Sequence, residues 1–173
     1  MRQVFRNGKK GKTNMSKSLK RVMQALADAG QDIDALELGP ETRTAQQAAD
    51  AAGCALDQIA KSVIFAGAES GEAILFITAG GNQVDAEKAS AVAGEALGKA
   101  DAALIRAQTG FAIGGVAPVG HLNPIRAFFD PRLQDFALIY AAAGTPRHIF
   151  PISPTALLQI SNAQVADFTL LSK

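Results

Sequence analysis

Two apolar runs decide the fold class of this sequence: Ile59-Ala60-Lys61-Ser62-Val63-Ile64-Phe65-Ala66 and Ala73-Ile74-Leu75-Phe76-Ile77-Thr78-Ala79. The polar residues Glu69-Ser70-Gly71-Glu72 between them are typical of a turn, so the pair predicts a β-hairpin. Runs that are apolar at successive positions are typical of central strands covered on both faces. The charged exception is Lys61, which shares a strand face with Val63. Its ammonium group either reaches solvent at the strand end or lines a pocket.

Helices and further strands alternate irregularly along the rest of the chain. Helix starts are predicted at residues that cap N-termini, namely Ser16 or Ser18, Thr44, Asp85, Asp101 and Ser153. Further strands are predicted over residues 33–38, 126–129, 136–143, 147–150 and 165–171. This order favours an α/β (mixed α+β) fold, a mixed sheet with packed helices, over a doubly wound parallel sheet.

Length and composition narrow the protein class. The chain has 173 residues, 48% of them hydrophobic and 19% charged, which suits one domain with one good core. No apolar run approaches the roughly 18 residues of a membrane span. The single cysteine, Cys54, favours a reducing cytoplasm, and with no histidine near it in sequence it fits a buried filler better than a nucleophile. Two histidines and one cysteine do not fit a structural zinc site.

Charge is distributed unevenly. Residues 1–21 hold eight basic groups and no acidic one, whereas residues 22–173 hold nine basic and sixteen acidic groups. A basic arm on an acidic body can contact nucleic acid phosphates. Residues 1–14 also lack an apolar period, as a disordered leader would. Because Met15 resembles an alternative start, the leader is favoured for residues 1–14, with a single domain over 15–173.

A second stretch, here called the glycine loop, is Thr109-Gly110-Phe111-Ala112-Ile113-Gly114-Gly115-Val116-Ala117-Pro118-Val119-Gly120-His121. Its backbone N–H groups can bind an anion or a carbonyl oxygen, although a tight structural connection explains the glycines equally well. A lysine combined with backbone donors suits a phosphate or the oxyanion of an acyl-transfer reaction. The sequence carries no nucleophile elbow, zinc-protease motif, P-loop or dinucleotide-binding glycine motif.

Four segments recur in one family in this order. They are Ile59–Phe65, the glycine loop with Gly114-Gly115-x-x-Pro118-x-Gly120, Asp130 after a predicted strand, and Ala143-Gly144 followed by Ser153-Pro154-x-x-Leu157-Leu158. Over about residues 40–171 the chain resembles the YbaK/EbsC, or prolyl-tRNA-synthetase-associated, editing domains. Members of that family are trans-editing aminoacyl-tRNA deacylases that hydrolyse mischarged tRNA, commonly Cys- or Ala-tRNA(Pro).

The resemblance implies a curved mixed sheet and a pocket between a lysine and the glycine loop. It makes Lys61 the expected catalytic residue. The expected substrate-binding residues are Ser62, Gly110, Gly114, Gly115, Pro118, Gly120, His121 and Gly144. It further implies a cytoplasmic ester hydrolase without metal or cofactor. Its expected partner is the 3′ aminoacyl end of mischarged tRNA, with prolyl-tRNA synthetase a candidate partner and no membrane involved. A ribose hydroxyl or a substrate thiol would supply part of the nucleophile or base function.

Two departures from the family pattern leave the specificity open. His121 stands where members vary, and it serves either as a proton shuttle or as a hydrogen-bonded loop anchor. Thr145-Pro146-Arg147 replaces the basic Gly-Lys-Arg turn of the cysteine-editing branch. Two other functions stay compatible with the sequence: a non-catalytic module that binds tRNA or a synthetase, and a regulatory small-molecule or nucleotide pocket.

Overall fold

The computed structural model describes residues 4–5 and 16–171. Within them the helices are α1 (Lys17–Asp28), α2 (Ala45–Ala52), α3 (Ala86–Ala93), α4 (Ala102–Thr109) and α5 (Pro154–Ser161). The strands are β1 (Val4–Phe5), β2 (Ala35–Glu37), β3 (Ile59–Gly67), β4 (Ala73–Ala79), β5 (Leu97–Lys99), β6 (Arg126–Phe129), β7 (Ile139–Thr145), β8 (His148–Ile152) and β9 (Gln164–Val165). Two short 3-10 turns, Leu56–Gln58 and Pro131–Asp135, precede β3 and follow β6.

All of these strands join one mixed sheet. Its order is β1-β2-β8-β7-β3-β4-β6-β9, and β5 is a further partner of β3. β3 and β4 are antiparallel from the pair Ala60–Ala79 to the pair Ala66–Ala73, which confirms the predicted hairpin. β7 runs parallel to β3, and β6 runs parallel to β4. The mixed sheet with its packed helices confirms the predicted fold class.

The core lies on both faces of β4. Every residue of this strand is buried. On one face, Leu75 and Ile77 belong to the main cluster with α1, α4 and α5. On the other, Ile74 and Phe76 pack with α3 and with Phe168. Coverage of both faces, predicted for the two strands of the hairpin, therefore holds for β4.

For β3 the same prediction is wrong over most of the strand. Residues Lys61–Ala66 are only partly buried. The reason is the pairing on the side away from β4, where β7 reaches only Ile59 and Ala60 and β5 reaches only Phe65–Gly67. No described strand covers the segment between these two contacts.

Local capping sets the helix boundaries as the sequence predicts. Ser16 accepts the Leu19 N–H at the start of α1. Thr44 and Gln47 form a reciprocal capping box on α2. The helices α3, α4 and α5 begin after the predicted caps, which are Asp85, Asp101 and Ser153.

Three strand predictions need correction. The strand predicted over residues 136–143 begins later, at Ile139, because the 3-10 turn after β6 continues to a last hydrogen bond from Phe136 N–H to Leu133 O. The final strand predicted over 165–171 is mostly absent, since β9 ends at Val165 and the Phe168 side chain enters the core instead. The strand predicted over 33–38 is confined to Ala35–Glu37.

The predicted leader is described only at Val4–Phe5, which pair with β2. The other residues of 1–14 lie outside the described residues, so the leader stays a prediction. No helix in the described part of the chain is long and apolar enough to span a membrane.

The turn after β4 supplies the first testable prediction. A Cβ added at Gly80 would collide with the backbone carbonyl oxygen of Leu56, whereas one added at Gly98 would meet nothing within 4 Å. Gly80→Ala should therefore lower the free energy of unfolding by about 1–3 kcal/mol. Gly98→Ala should leave it equal or raise it by up to about 1 kcal/mol. Urea denaturation of both variants measures this difference, and equal stabilities would contradict the close approach at Gly80.

Candidate active site

A cleft of about 630 Å³ opens beside the uncovered segment of β3. Its walls come from the segment that leads into α2, from β3, from the tip of the glycine loop and from the turn between β7 and β8. The polar and charged side chains on these walls include Arg43, Lys61, Ser62, Arg147 and His148. The fold brings these five residues together from three separate parts of the chain.

The backbone of β3 faces this cleft at Ser62. Opposite residues in an antiparallel pair direct their backbone groups either toward each other or away from each other. Ile77, which lies opposite Ser62, uses its carbonyl oxygen to accept the Asp130 N–H on the β6 side. The backbone N–H and C=O of Ser62 therefore point away from β4, toward the interruption in strand pairing.

Lys61 is held at the end of the cleft by one hydrogen bond. Its Nζ donates to the backbone oxygen of Asn82 over 2.7 Å. The Asn82 side chain in turn donates from Nδ2 to Asp130 Oδ2 over 2.9 Å. Asp130 is 2% exposed and also accepts the Ala79 N–H, so this chain of contacts ends in a buried carboxylate fixed against β4.

The surroundings of Lys61 act on its pKa in opposite directions. Burial disfavours the charged form and lowers the pKa, and the nearby carboxylates of Asp130 and Asp57 raise it. Burial is the largest of these effects, so the pKa of Lys61 lies below its ordinary value.

Close contact between two turns presents the Asn82 carbonyl to Lys61. Gly81 N–H donates to Asp57 Oδ1 over 2.7 Å, and Asp57 Oδ2 accepts from Arg132 Nε over 2.9 Å. A Cβ at Gly81 would lie 2.5 Å from the same Asp57 oxygen. The two glycines that precede Asn82 are thus required by the neighbouring backbone and carboxylate.

The cleft is positively charged on an acidic body. Residues 16–171 carry eleven basic and sixteen acidic side chains. The cleft walls contain Lys61, Arg43 and Arg147 but neither aspartate nor glutamate. Within the described residues Arg43 makes no ion pair, and Arg147 approaches Glu37 only at 4.0 Å. Such an arrangement favours an anionic ligand.

The glycine loop contributes its tip to the cleft. Ile113, Gly114 and Val116 line it, and Ile113 is 59% exposed. Gly115 lies behind the tip, where a Cβ would be 2.9 Å from the backbone of Thr145. This contact joins the loop to the turn between β7 and β8.

The other predicted binding residues lie outside the cleft walls. Gly110 and Gly120 approach Arg21 of α1, and Gly144 approaches the Ser18 backbone of the same helix. Pro118 is buried. The structure thus brings together Lys61, Ser62 and Gly114, and it does not bring Gly110, Gly115, Pro118, Gly120, His121 or Gly144 to the cleft surface.

His121 interacts with its own loop. Its Nε2 lies 2.7 Å from Ala117 O, and its ring meets Phe111 edge to face. Burial lowers the pKa of His121, the contact with Ala117 raises it, and Arg21 lowers it, with burial the largest effect.

A second, apolar cavity of about 480 Å³ adjoins the cleft beneath the loop tip. The two share Ser62, Ile113, Gly114 and Val116. The other wall residues are apolar except for Lys99 and Gly98, and they include Ile64, Phe65, Leu97, Ala100 and Ile105. The Oγ of Ser62 is buried and has no hydrogen-bond partner in the described part of the chain, which is an unfavourable state for a hydroxyl group.

Other candidate sites in the described residues offer fewer side chains that could bind or react with a ligand. A groove of about 740 Å³ lies between α4 and β6, but its Gln108, Asn123 and Arg126 side chains already bond to protein groups. Burial raises the pKa of Cys54, which disfavours the thiolate, and the residue packs against the cluster under α2. The described residues contain no cluster of three histidine, cysteine or acidic side chains that could hold a metal ion.

Sequence reasoning missed several residues of the site, among them Asn82, Asp57 and Arg43. Asn82 acts through its backbone oxygen, for which side-chain identity gives no signal. Asp57 and Arg43 reach the site only through tertiary contacts. The one available signal was the Gly80-Gly81-Asn82 turn directly after a buried strand.

The chain is similar to one protein family and to two curated proteins. The sequence model of the aminoacyl-tRNA editing domain matches residues 39–160. The uncharacterized protein YwhH of Bacillus subtilis is 30% identical over 148 residues, which cover 86% of this chain and 94% of YwhH. EbsC of Enterococcus faecalis, a candidate Cys-tRNA(Pro)/Cys-tRNA(Cys) deacylase, is 25% identical over 130 residues, which cover 73% of this chain and 77% of EbsC.

Two solved structures are also similar to this chain. A crystal structure of a candidate trans-editing enzyme for prolyl-tRNA synthetase superposes with a TM-score of 0.85 at 43% identity, covering 91% of this chain and 99% of that one. A hypothetical protein of known structure superposes with a TM-score of 0.78 at 25% identity, covering 87% of this chain and 99% of that one.

The environment of Lys61 predicts an unusual titration. Because burial outweighs the nearby carboxylates, the pKa of Lys61 should lie below that of an exposed lysine. Asp57→Asn removes a negative charge that raises this pKa, so the midpoint should fall further. Carbon NMR of the lysine Cε signals across a pH series measures both, and Lys61→Met identifies the signal. A midpoint that rises in Asp57→Asn would contradict this electrostatic account.

Proposed function

The chain belongs to the aminoacyl-tRNA editing domain family, and on that premise we propose that it is a trans-editing aminoacyl-tRNA deacylase. It would hydrolyse the ester that joins a wrong amino acid to the 3′ end of a tRNA, with Cys- or Ala-tRNA(Pro) as the expected kind of substrate. The observation that carries the proposal is the cleft, which has Lys61 and the glycine loop tip among its walls and no aspartate or glutamate. The names of EbsC and of the prolyl-tRNA trans-editing structure support the choice of substrate.

The charge of the cleft suits the end of a tRNA. Arg43 and Arg147 can pair with backbone phosphates, since neither is held by a close ion pair within the described residues. Because the body around the cleft is acidic, a polyanion is attracted to this region in preference to the rest of the described surface.

Lys61 retains donors for the substrate. An ammonium group has three N–H donors, and one of them is used on Asn82 O. The remaining two can hold the carbonyl oxygen of the ester, or a phosphate of the terminal adenosine, while charge develops in the transition state. Held by Asn82, the amine requires little reorganisation during the reaction.

The reaction itself is a hydrolysis. Water adds to the ester carbonyl carbon, the bond from that carbon to the ribose oxygen breaks, and the ribose oxygen leaves with a proton. The products are a free amino acid and a tRNA with a free 3′ end. An activated ester mainly needs positioning and charge stabilisation, and a neighbouring ribose hydroxyl or substrate thiol can assist. No step passes through His121, which is directed at its own loop.

The apolar cavity beneath the loop tip is the proposed site of the amino acid side chain. Its mostly apolar walls suit a small uncharged group, and a rotation of the buried, unpaired Ser62 hydroxyl toward the cavity would let it form one hydrogen bond there. Selection by size is worth only about 1–3 kcal/mol per methylene, so related small side chains would be separated modestly. Cysteine and alanine both meet these requirements.

A deacylation screen over a panel of mischarged tRNAs tests the proposal. The wild-type protein should hydrolyse Cys- or Ala-tRNA(Pro) faster than Pro-tRNA(Pro). Lys61→Met, which keeps the apolar stem, should lower kcat by roughly 100- to 1000-fold, as expected for loss of a donor to a developing oxyanion. The rate of free amino acid release measures both.

Lys88→Met is the matched control for Lys61→Met. Lys88 is also partly buried and donates to a backbone oxygen, that of Thr169, but it lies on α3 away from the cleft. Its substitution should leave deacylation unchanged. Equal rates for Lys61→Met and wild type would remove Lys61 from the mechanism, and tRNA binding without hydrolysis would favour the non-catalytic module.

Phosphate contacts at the cleft rim predict a change in salt dependence. Each phosphate neutralised on a single strand contributes about −0.7 to the slope of log K against log salt concentration. The double variant Arg43→Met/Arg147→Met should therefore bind tRNA more weakly, with a slope reduced by roughly 1.4. Arg106→Met, an exposed residue of α4 outside the cleft, is the control. An unchanged slope in the double variant would place the phosphates elsewhere.

A further inference from the structure

We propose that Arg21, on helix α1, is a positioning residue that fixes the glycine loop over the cleft. The expected effect of Arg21 on activity rests on the proposed function. Its expected effect on the position of the glycine loop does not. Helix α1 lies outside residues 39–160, the part of the chain that matches the editing-domain model. Arg21 would therefore act on the site from a helix that the editing-domain model does not include.

Arg21 binds both ends of the loop with one guanidinium group. Its Nε donates to Gly120 O over 2.7 Å, and its Nη2 donates to Thr109 O over 3.3 Å. The two acceptors stand eleven positions apart in sequence, at the end of α4 and near the end of the loop. This planar side chain joins the two ends of the loop beside two backbone hydrogen bonds, from Leu122 N–H to Thr109 O and from Asn123 N–H to Gln108 O.

The same guanidinium also holds the loop interior. Its central carbon lies 4.6 Å above the ring of Phe111, which is fully buried. No ion pair links Arg21 to a carboxylate within the described residues, so its charge is satisfied by carbonyl oxygens and an aromatic face. The loop is consequently the main partner of this cation.

Two glycines of the loop lie directly against Arg21. A Cβ on Gly110 would lie 2.5 Å from Arg21 Nη2, and one on Gly120 would lie 3.4 Å from the Arg21 backbone oxygen. These glycines make room for α1 and for the guanidinium. The base of the loop and Arg21 therefore fit each other as one unit.

Fixing the base controls the tip. Ile113 and Gly114 line both the charged cleft and the apolar cavity, and they lie between the two carbonyl groups that Arg21 holds. Release of the base would let the tip move relative to Lys61 and Ser62. A displacement of about 1 Å at a site of this kind can cost roughly 100-fold in rate.

Hydrogen exchange tests whether Arg21 holds the glycine loop in place. Arg21→Met keeps the stem but loses the planar fork, and Lys20→Met is the control on the adjacent, exposed position of α1. Loop amides between Phe111 and Gly120 should exchange about tenfold faster or more in Arg21→Met, as expected for the loss of a charged hydrogen bond. Amides of β4 should keep their wild-type rates. Loop exchange equal to that of Lys20→Met would overturn the proposal.

Deacylation kinetics test the positioning role. In Arg21→Met, kcat should fall roughly 10- to 100-fold with a smaller change in KM. Arg21→Lys, which keeps the charge but cannot reach both carbonyls, should give intermediate values and serves if Arg21→Met fails to fold. Faster loop exchange with an unchanged kcat would overturn the positioning role. A wild-type protein that deacylates no tRNA would refute the proposed function, while the exchange experiment still decides whether Arg21 holds the loop.

Discussion

The half-buried ammonium of Lys61 is the constraint on which the rest of the site depends. Removing a cation from water is costly unless fixed oxygens replace its hydration. Here the Asn82 carbonyl supplies the direct contact, and Asp130 and Asp57 supply negative charge nearby. That carbonyl is available only because the turn of Gly80 and Gly81 packs tightly on the segment before β3. The position of one amine therefore depends on the geometry of two turns and a buried carboxylate.

The cleft exists because the sheet is incomplete at the strand that carries this amine. Between the short contacts of β7 and β5, a segment of β3 has neighbours only on its β4 side among the described strands. The backbone N–H and C=O groups of this segment that face the gap must bond to water or to a ligand, because no strand pairs with them there. The glycine loop covers the gap partly, at Ile113 and Gly114, and leaves space on either side. A charged cleft and an apolar cavity that meet at Ser62 follow directly from this arrangement.

Local signals in the sequence predicted the hairpin, the helix caps and the unusual lysine, because each depends on residues a few positions apart. The start of β7 and the fate of residues 165–171 could not be read in this way. They depend on a 3-10 turn after Asp130 and on a core position for Phe168, both of which are tertiary effects. The partner of Lys61 was equally hidden, since Asn82 contributes a backbone oxygen that any residue type carries. Sequence thus indicated which side chain was anomalous but not what holds it.

The glycines show why the loop could be located but not interpreted from sequence. Glycine is required wherever a Cβ would be in the way, and a ligand and a neighbouring helix exclude it equally well. In the structure, Gly110 and Gly120 avoid α1, and Gly115 avoids the Thr145 backbone. Gly114 differs, because a Cβ there would meet nothing within 4 Å, although its φ of +93° still favours glycine. The open space beside Gly114 lies in a wall of the same cleft as Lys61, so under the proposed function a substrate has room there to approach the loop backbone.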